Sequence, residues 1–183
     1  MTRVRTIDAE GCRFRAASPA DDDHVLGLMT EYMTWALATF EQTFGYPMGG
    51  DPGHTPESLR RFRPPSGLIA LAEVGGLPVG VAALRTNDDG VVEIKRMFVR
   101  PTHRGTGIGA GLLDWLLDRC SDQFGARIVR LDSNRFMTAA HRLYESRGFT
   151  ERDRYPGSEI PPELQDLWRF YELPLTPATG DDR

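Results

Sequence analysis

Residues 104–109 read Arg-Gly-Thr-Gly-Ile-Gly, between a strand-like run that ends at Val99 and a helix-like run that begins at Ile108. No other stretch limits the fold as tightly. Glycines at this spacing let successive backbone N–H groups converge on one point, and a helix start adds about half a positive charge there. Such a turn suits a phosphate or pyrophosphate, with Arg104 as a flexible positive arm. A P-loop is excluded, because it needs a Lys next to its last glycine and the sole lysine, Lys95, lies upstream. The dinucleotide pattern G-x-G-x-x-[GA] is met literally by Gly105, Gly107 and Ala110, with Asp132 ending the next strand. That pattern puts its first glycine at the strand tip, whereas residues 100–104 intervene here.

The flanking segments predict a mixed sheet. Residues 12–17 alternate weakly, as a first strand would. Ser18 as N-cap and Pro19 at the first helical position open a helical region. Val25, Leu26, Leu28, Met29, Met33 and Leu37 continue it at helical spacing, as two joined helices ending near Phe44. A Gly/Pro-rich loop follows at 46–55. Strands at 68–74 and 79–84, joined by Gly75-Gly76, form a hairpin; a third strand covers 91–99, after the turn 87–90. Helix 108–124, strand 128–131, helix 138–147 and a final strand at 167–173 complete the chain. Strand, helices, meander and then alternating strands and helices make a single-domain α/β (α+β) mixed sheet. The hairpin-linked meander also argues against a doubly wound dinucleotide fold.

Composition narrows the function. The chain has 183 residues, 40% apolar and 26% charged, with a formal net charge of −4, an ordinary balance for one globular domain. No run approaches the ~20 apolar residues of a membrane helix, and the first residues lack an apolar signal core. A mildly acidic chain is poorly suited to nucleic acid. The expectation is a cytoplasmic protein with a lead-in at 1–11, a domain at 12–175 and a flexible tail at 176–183. Cys12 and Cys120 have no metal spacing and read as reduced thiols. Four scattered histidines argue against a metal site. Lys95 stands against 21 arginines among the 22 basic residues, which coding bias explains and which assigns no chemistry.

The stretch MFVRPTHRGTGIG, residues 97–109, resembles the central signature of the GNAT N-acetyltransferases. A strand ends in hydrophobic-x-Val, a Pro follows, and Arg104, Gly107 and Gly109 match [RQ]-x-x-G-x-[GA]. Downstream, AAHRLYESRGF, residues 139–149, resembles the family's A-x-x-L-Y-x-x-x-G-F helix and turn. The resemblance covers about residues 12–175 in element order and implies the GNAT acyl-CoA N-acyltransferase fold. It implies acetyl transfer from acetyl-CoA to an amine. The amides of Arg104, Gly105, Thr106, Gly107, Ile108 and Gly109 would hold the CoA pyrophosphate. The main chain of Met97, Phe98 and Val99 would bind the pantetheine arm as an added strand. Met97 would also orient the thioester carbonyl, and Ala140 would line the far side of the channel. The family's Asn seven residues before the tyrosine is replaced by Met137, with Asn134 three residues earlier.

Tyr144 matches the family's general acid; a phenol, with pKa near 10, can share a proton with a thiol. It also reads as a helix tyrosine packed beside Leu143 and Phe149. Glu93 lies six residues before Val99, where some members of the resembled family place a glutamate facing the acetyl group, and the resemblance makes it the candidate base; period two puts Glu93, Lys95, Met97 and Val99 on one strand face. It reads equally as an exposed glutamate paired with Lys95 or Arg96. His54 and His103 are loop histidines, and His141, beside Tyr144, either contacts CoA or faces solvent. Ser133 and Cys120 lack a base partner for a covalent route. The acceptor amine would meet Glu31, Trp35, Glu41, Asp51, Glu159 and Glu163, with Arg154, Tyr155, Pro156 and Trp168 shaping a pocket or packing an edge strand. A homodimer is allowed. The alternative function is a non-catalytic acyl-CoA-binding module on the same fold.

Overall fold

The computed structural model describes residues 11–49, 54–87 and 90–175. The lead-in before Gly11, the tail at 176–183, Asp51 and the turn residues Asp88 and Asp89 lie outside the described residues. Seven strands form a mixed sheet: β1 (Cys12–Ala16), β2 (Gly67–Val74), β3 (Leu77–Asn87), β4 (Val91–Val99), β5 (Ile128–Asn134), β6 (Thr150–Arg152) and β7 (Trp168–Pro174). The helices are α1 (Asp22–Phe44), α2 (Pro56–Leu59), α3 (Ile108–Asp122) and α4 (Thr138–Ser146). The chain divides into two compact units, Met1–Arg85 with Arg96–Leu116, and Thr86–Lys95 with Leu117–Arg183.

The first unit carries the order β1-β2-β3-β4. β1 pairs antiparallel with β2, Phe14 opposite Ala72, and β2 with β3, Ala70 opposite Ala82. Alternation sends Ile69 and Leu71 of β2, with Val81 and Ala83 of β3, to one face, where Val25, Leu28 and Met29 of α1 pack with Leu59, Phe62 and Phe98. Each large side chain buried there contributes about 1.5–3 kcal/mol. The predicted pair of joined helices is one 23-residue helix, preceded by a short 3-10 turn over Pro19–Asp21. The apolar spacing continues unbroken through Ala36 and Phe40. Gly45, at φ 80°, ends the helix, and its N–H donates to Glu41 O at 2.8 Å. Glu73 is buried where Arg13 Nη2 and Arg15 Nε approach it at 2.7 and 2.8 Å.

The second unit carries the order β4-β5-β7-β6. β5 pairs parallel with β4 over Val91–Glu93, and β7 runs antiparallel to β5 from Ile128 opposite Pro174 to Asn134 opposite Trp168. Two short elements escape the sequence patterns. β6 is Thr-Glu-Arg, with no apolar alternation, and is a strand only because it pairs with β7. α2 is a single turn, capped where Ser58 N–H donates to Thr55 Oγ1 at 3.3 Å.

Candidate active site

In the first unit, β4 runs into a 3-10 turn at Pro101–His103 and then into the glycine turn. Gly105 and Gly107 have φ of 78° and 85°, and a Cβ added at either would meet nothing within 4 Å. Their glycine requirement is therefore conformational, and the turn's outer surface is open. Thr106 Oγ1 donates to His103 O at 2.7 Å and fixes the turn. Gly107 O accepts from Gly111 N at 2.9 Å and starts α3. Gly109 lies within the first turn of α3, whereas Ile108 is a core side chain at the helix start. Fifteen residues of helix give this N-terminus a full dipole end.

Arg104 is not a flexible arm. Its Nε donates to Val99 O at 2.9 Å, and its guanidinium lies 4.5 Å from the Trp35 ring centre and 5.5 Å from that of Phe98. Burial against these rings lowers its pKa. Tyr32, Trp35 and Phe98 form an aromatic group with ring centres 5.8–6.4 Å apart. Phe98 is thus a core side chain, and only its main chain is open to the proposed pantetheine role; Met97 and Val99 are half-buried. Arg96 has φ 56°, the one positive φ among the described non-glycine residues. The strict alternation expected from Glu93 through Val99 is therefore interrupted at Arg96, and Met97 and Val99 do not continue the Glu93–Lys95 face. Arg96 Nε meets His54 Nε2 at 3.2 Å. Glu31 pairs with Arg100 at 2.6 Å, which lowers its pKa.

In the second unit, the parallel register sets Glu93 against Arg130. Period two then brings Glu93 and Lys95 of β4 to the same face as Arg130 and Asp132 of β5. The expected exposed glutamate is instead fully buried: Glu93 is 0% and Lys95 5% accessible. The pairing itself is present, with Lys95 Nζ 2.7 Å from Glu93 Oε1. Lys95 Nζ also donates to Asp132 Oδ2. Tyr155, from the loop after β6, donates to Glu93 Oε1 at 2.8 Å and Asp132 Oδ2 at 3.2 Å. Burial, then the charges of Asp132 and Glu93, push the Tyr155 phenol upward, so it remains a donor. Two donors thus share the same two carboxylate oxygens. Tyr155 and Asp132 are the partners that spacing alone did not reveal; a buried aromatic after a polar loop was the only available signal.

Tyr144 is 7% accessible and packs with Phe149 and Tyr171, ring centres 6.0 and 5.9 Å away. Tyr144 thus has the packed environment that the helix-tyrosine reading expects. His141 does not face solvent: it is 3% accessible against Tyr171, and burial first, then Arg169, lower its pKa. Its Nε2 and the Nδ2 of Asn134 are buried without a hydrogen-bond partner among the described residues. Ser133 Oγ contacts Met137 Sδ at 3.4 Å, and Ala140 is half-buried on α4. Of the acceptor candidates, Tyr155 has moved into the buried cluster, while Glu41, Glu159 and Pro156 are solvent-facing. Cys12 and Cys120 are free and buried; burial pushes the Cys120 thiol up to about 12.

Comparisons with known proteins point one way. The profile of the acetyltransferase (GNAT) family matches residues 29–149. An uncharacterized N-acetyltransferase of Schizosaccharomyces pombe is 31% identical over 105 residues, 56% of this chain and 64% of that protein. The match thus spans less than two thirds of the yeast protein's length. An IAA acetyltransferase of Azospirillum brasilense is 32% identical over 118 residues, 64% of this chain and 74% of its own. In structure, a Salmonella typhimurium protein solved with its cofactor acetyl-CoA superposes with a TM-score of 0.60 at 20% identity, covering 94% of this chain and 99% of its own. That likeness concerns the fold.

Proposed function

The chain belongs to the GNAT acetyltransferase family, and from that premise we propose that it moves the acetyl group of acetyl-CoA directly to a primary amine of a small molecule or peptide. The observation that carries this is the open glycine turn at the start of α3, with Gly105 and Gly107 at positive φ. Backbone amides of Arg104 to Gly109 hold the pyrophosphate, so the acidic chain needs no basic surface for a polyanionic cofactor. The main chain of Met97–Val99, beyond the β4–β5 ladder at Val91–Glu93, takes the pantetheine arm as a strand. The anchored Arg104 acts from beside this segment, and Ala140 is the further residue that this reading assigns to CoA.

In this reading Tyr144 supplies the proton that the departing thiolate needs, and Glu93 belongs to the group that deprotonates the acceptor ammonium. The protein works in the cytoplasm, where buried Cys12 and Cys120 stay reduced. A panel of amines with acetyl-CoA, followed by thiol release, together with calorimetry of CoA binding, tests the proposal. Thiol release that depends on one class of amine is the expected result. Binding of CoA with no release for any amine favours the non-catalytic module; no binding at all removes both.

A further inference from the structure

We propose that Trp35 of α1 is a positioning residue for the CoA pyrophosphate: it holds the Arg104 guanidinium beside the glycine turn without neutralising it. The inference rests on the acetyl-transfer reading above and goes beyond it by giving α1 a part in cofactor affinity. Its first support is the way the Arg104 side chain is held. Nε donates to Val99 O at 2.9 Å, which commits one edge of the guanidinium. The Arg104 Cζ lies over the Trp35 ring, 4.5 Å from its centre, closer than the 5.5 Å to that of Phe98. Residue 104 is exposed all the same, so the cation is fixed at the surface rather than buried. An arginine free in solvent loses rotamer freedom when it grips an anion; this one has lost it before the anion arrives.

The second support is a contrast one helical turn away. Glu31 and Trp35 are four apart on α1 and therefore share a face of the helix. Arg100 and Arg104 are four apart on the segment that leads into the glycine turn. Each of the two α1 residues meets one of the arginines. Arg100 Nη2 approaches Glu31 Oε1 at 2.6 Å and Arg100 Nε donates to Oε2 at 2.9 Å, a bidentate pair that cancels the charge. Arg100 also donates to Pro78 O of β3 at 3.0 Å. Arg104 meets no carboxylate among the described residues. An aromatic face attracts a cation through its quadrupole and leaves the charge in place. The Glu31 pair thus fixes the segment, while the Trp35 contact keeps a positive charge available at the entrance of the turn.

Arg104 directly precedes Gly105, whose φ of 78° opens the turn. A full charge therefore stands next to backbone N–H groups that carry only partial ones, and charge-assisted donors are the stronger partners for a phosphate oxygen. The indole is itself held, with the Tyr32 and Phe98 ring centres 6.3 and 6.4 Å away. Phenylalanine at position 35 would still present a face to the guanidinium; leucine would not. Because Arg104 is exposed, the contact is worth a few-fold in an equilibrium rather than orders of magnitude.

Calorimetry of CoA binding tests this without knowledge of the acceptor. Expected for Trp35→Leu is about fivefold weaker binding, with Trp35→Phe restoring affinity to within about twofold of wild type. In an Arg104→Met background, Trp35→Leu should change affinity by less than about twofold, because the ring then has no cation to hold. A merely structural tryptophan would lower affinity equally in both backgrounds, and that result overturns the proposal. So does Trp35→Leu protein that binds CoA as wild type does. The wild-type protein gives a readout that needs no leucine variant. The chain has three tryptophans, and the indole N–H resonance missing from Trp35→Phe should shift in wild type as CoA saturates. A Trp35 resonance that stays fixed at saturation overturns the proposal. Wild-type protein that binds no CoA strikes the acetyl-transfer reading and the role of Trp35 together; CoA binding that is indifferent to Trp35 strikes the role of Trp35 alone.

Discussion

The Tyr155 hydroxyl and Glu93 Oε1, 62 residues apart in sequence, meet at 2.8 Å in the interior. With Lys95, Tyr155 places a second polar group against the carboxylates of Glu93 and Asp132. Tyr155→Phe keeps the ring packed against Phe170 but deletes the donor. It should lower stability by about 1–3 kcal/mol, the cost of leaving buried acceptors short of a partner. Urea unfolding measures this; a midpoint equal to wild type would mean that the hydroxyl contributes nothing to the cluster.

Gly107 is held at φ 85° in open space. Gly107→Ala should cost about 1 kcal/mol of stability through backbone strain alone. Relaxation of the turn would also disturb the converging N–H groups, so CoA affinity should drop by about tenfold or more, read by calorimetry. Wild-type affinity in this variant would remove the turn as the pyrophosphate site.

For Tyr144 the packing and the chemistry separate in one variant. Tyr144→Phe preserves the contacts with Phe149 and Tyr171 and removes only the hydroxyl. A general acid predicts kcat reduced by about 100-fold, with CoA binding within error of wild type. An undiminished kcat assigns Tyr144 to packing.

Acid should unfold the protein through the arginine-bound carboxylates of the first unit. The hydrogen bond from Arg15 holds Asp21 well below the usual carboxylate range. Burial raises Glu73, but the hydrogen bonds from Arg15 and Arg13 outweigh it and leave its pKa lowered. Both groups have folded values below their unfolded ones. Their contribution is therefore complete above the unfolded values, about pH 4, and is lost as pH falls through the folded ones. Melting temperatures should stay level from neutral pH to about 5 and then decline. Asp21→Asn should be less stable at neutral pH and decline less steeply. A variant curve parallel to wild type throughout would exclude Asp21 from the acid response.

Much of the fold was legible because its determinants are local. The β2–β3 hairpin has Gly75 and Gly76 at its turn, β4 has its apolar run stopped by Pro101, and α3 has leucines at helical spacing. The glycine turn was equally legible, since positive φ at Gly105 and Gly107 is a property of the backbone there. Less local features were not. β6 carries no pattern of its own, and Arg96, which no composition marks, breaks the alternation that would have carried the Glu93 face on to Met97 and Val99.

The sequence by itself determined which residue types stand beside the turn and on α4, and hence the family. It could name Glu93, Lys95, Asp132 and Tyr155 only as separate residues. Tertiary structure alone decided that they meet, through a parallel register between β4 and β5 and a loop returning from β6. It also decided that Glu93 is buried rather than solvated and that Arg104 is anchored rather than free. Such outcomes depend on which non-local partner occupies the space next to a charge, and one-dimensional spacing carries no information about that.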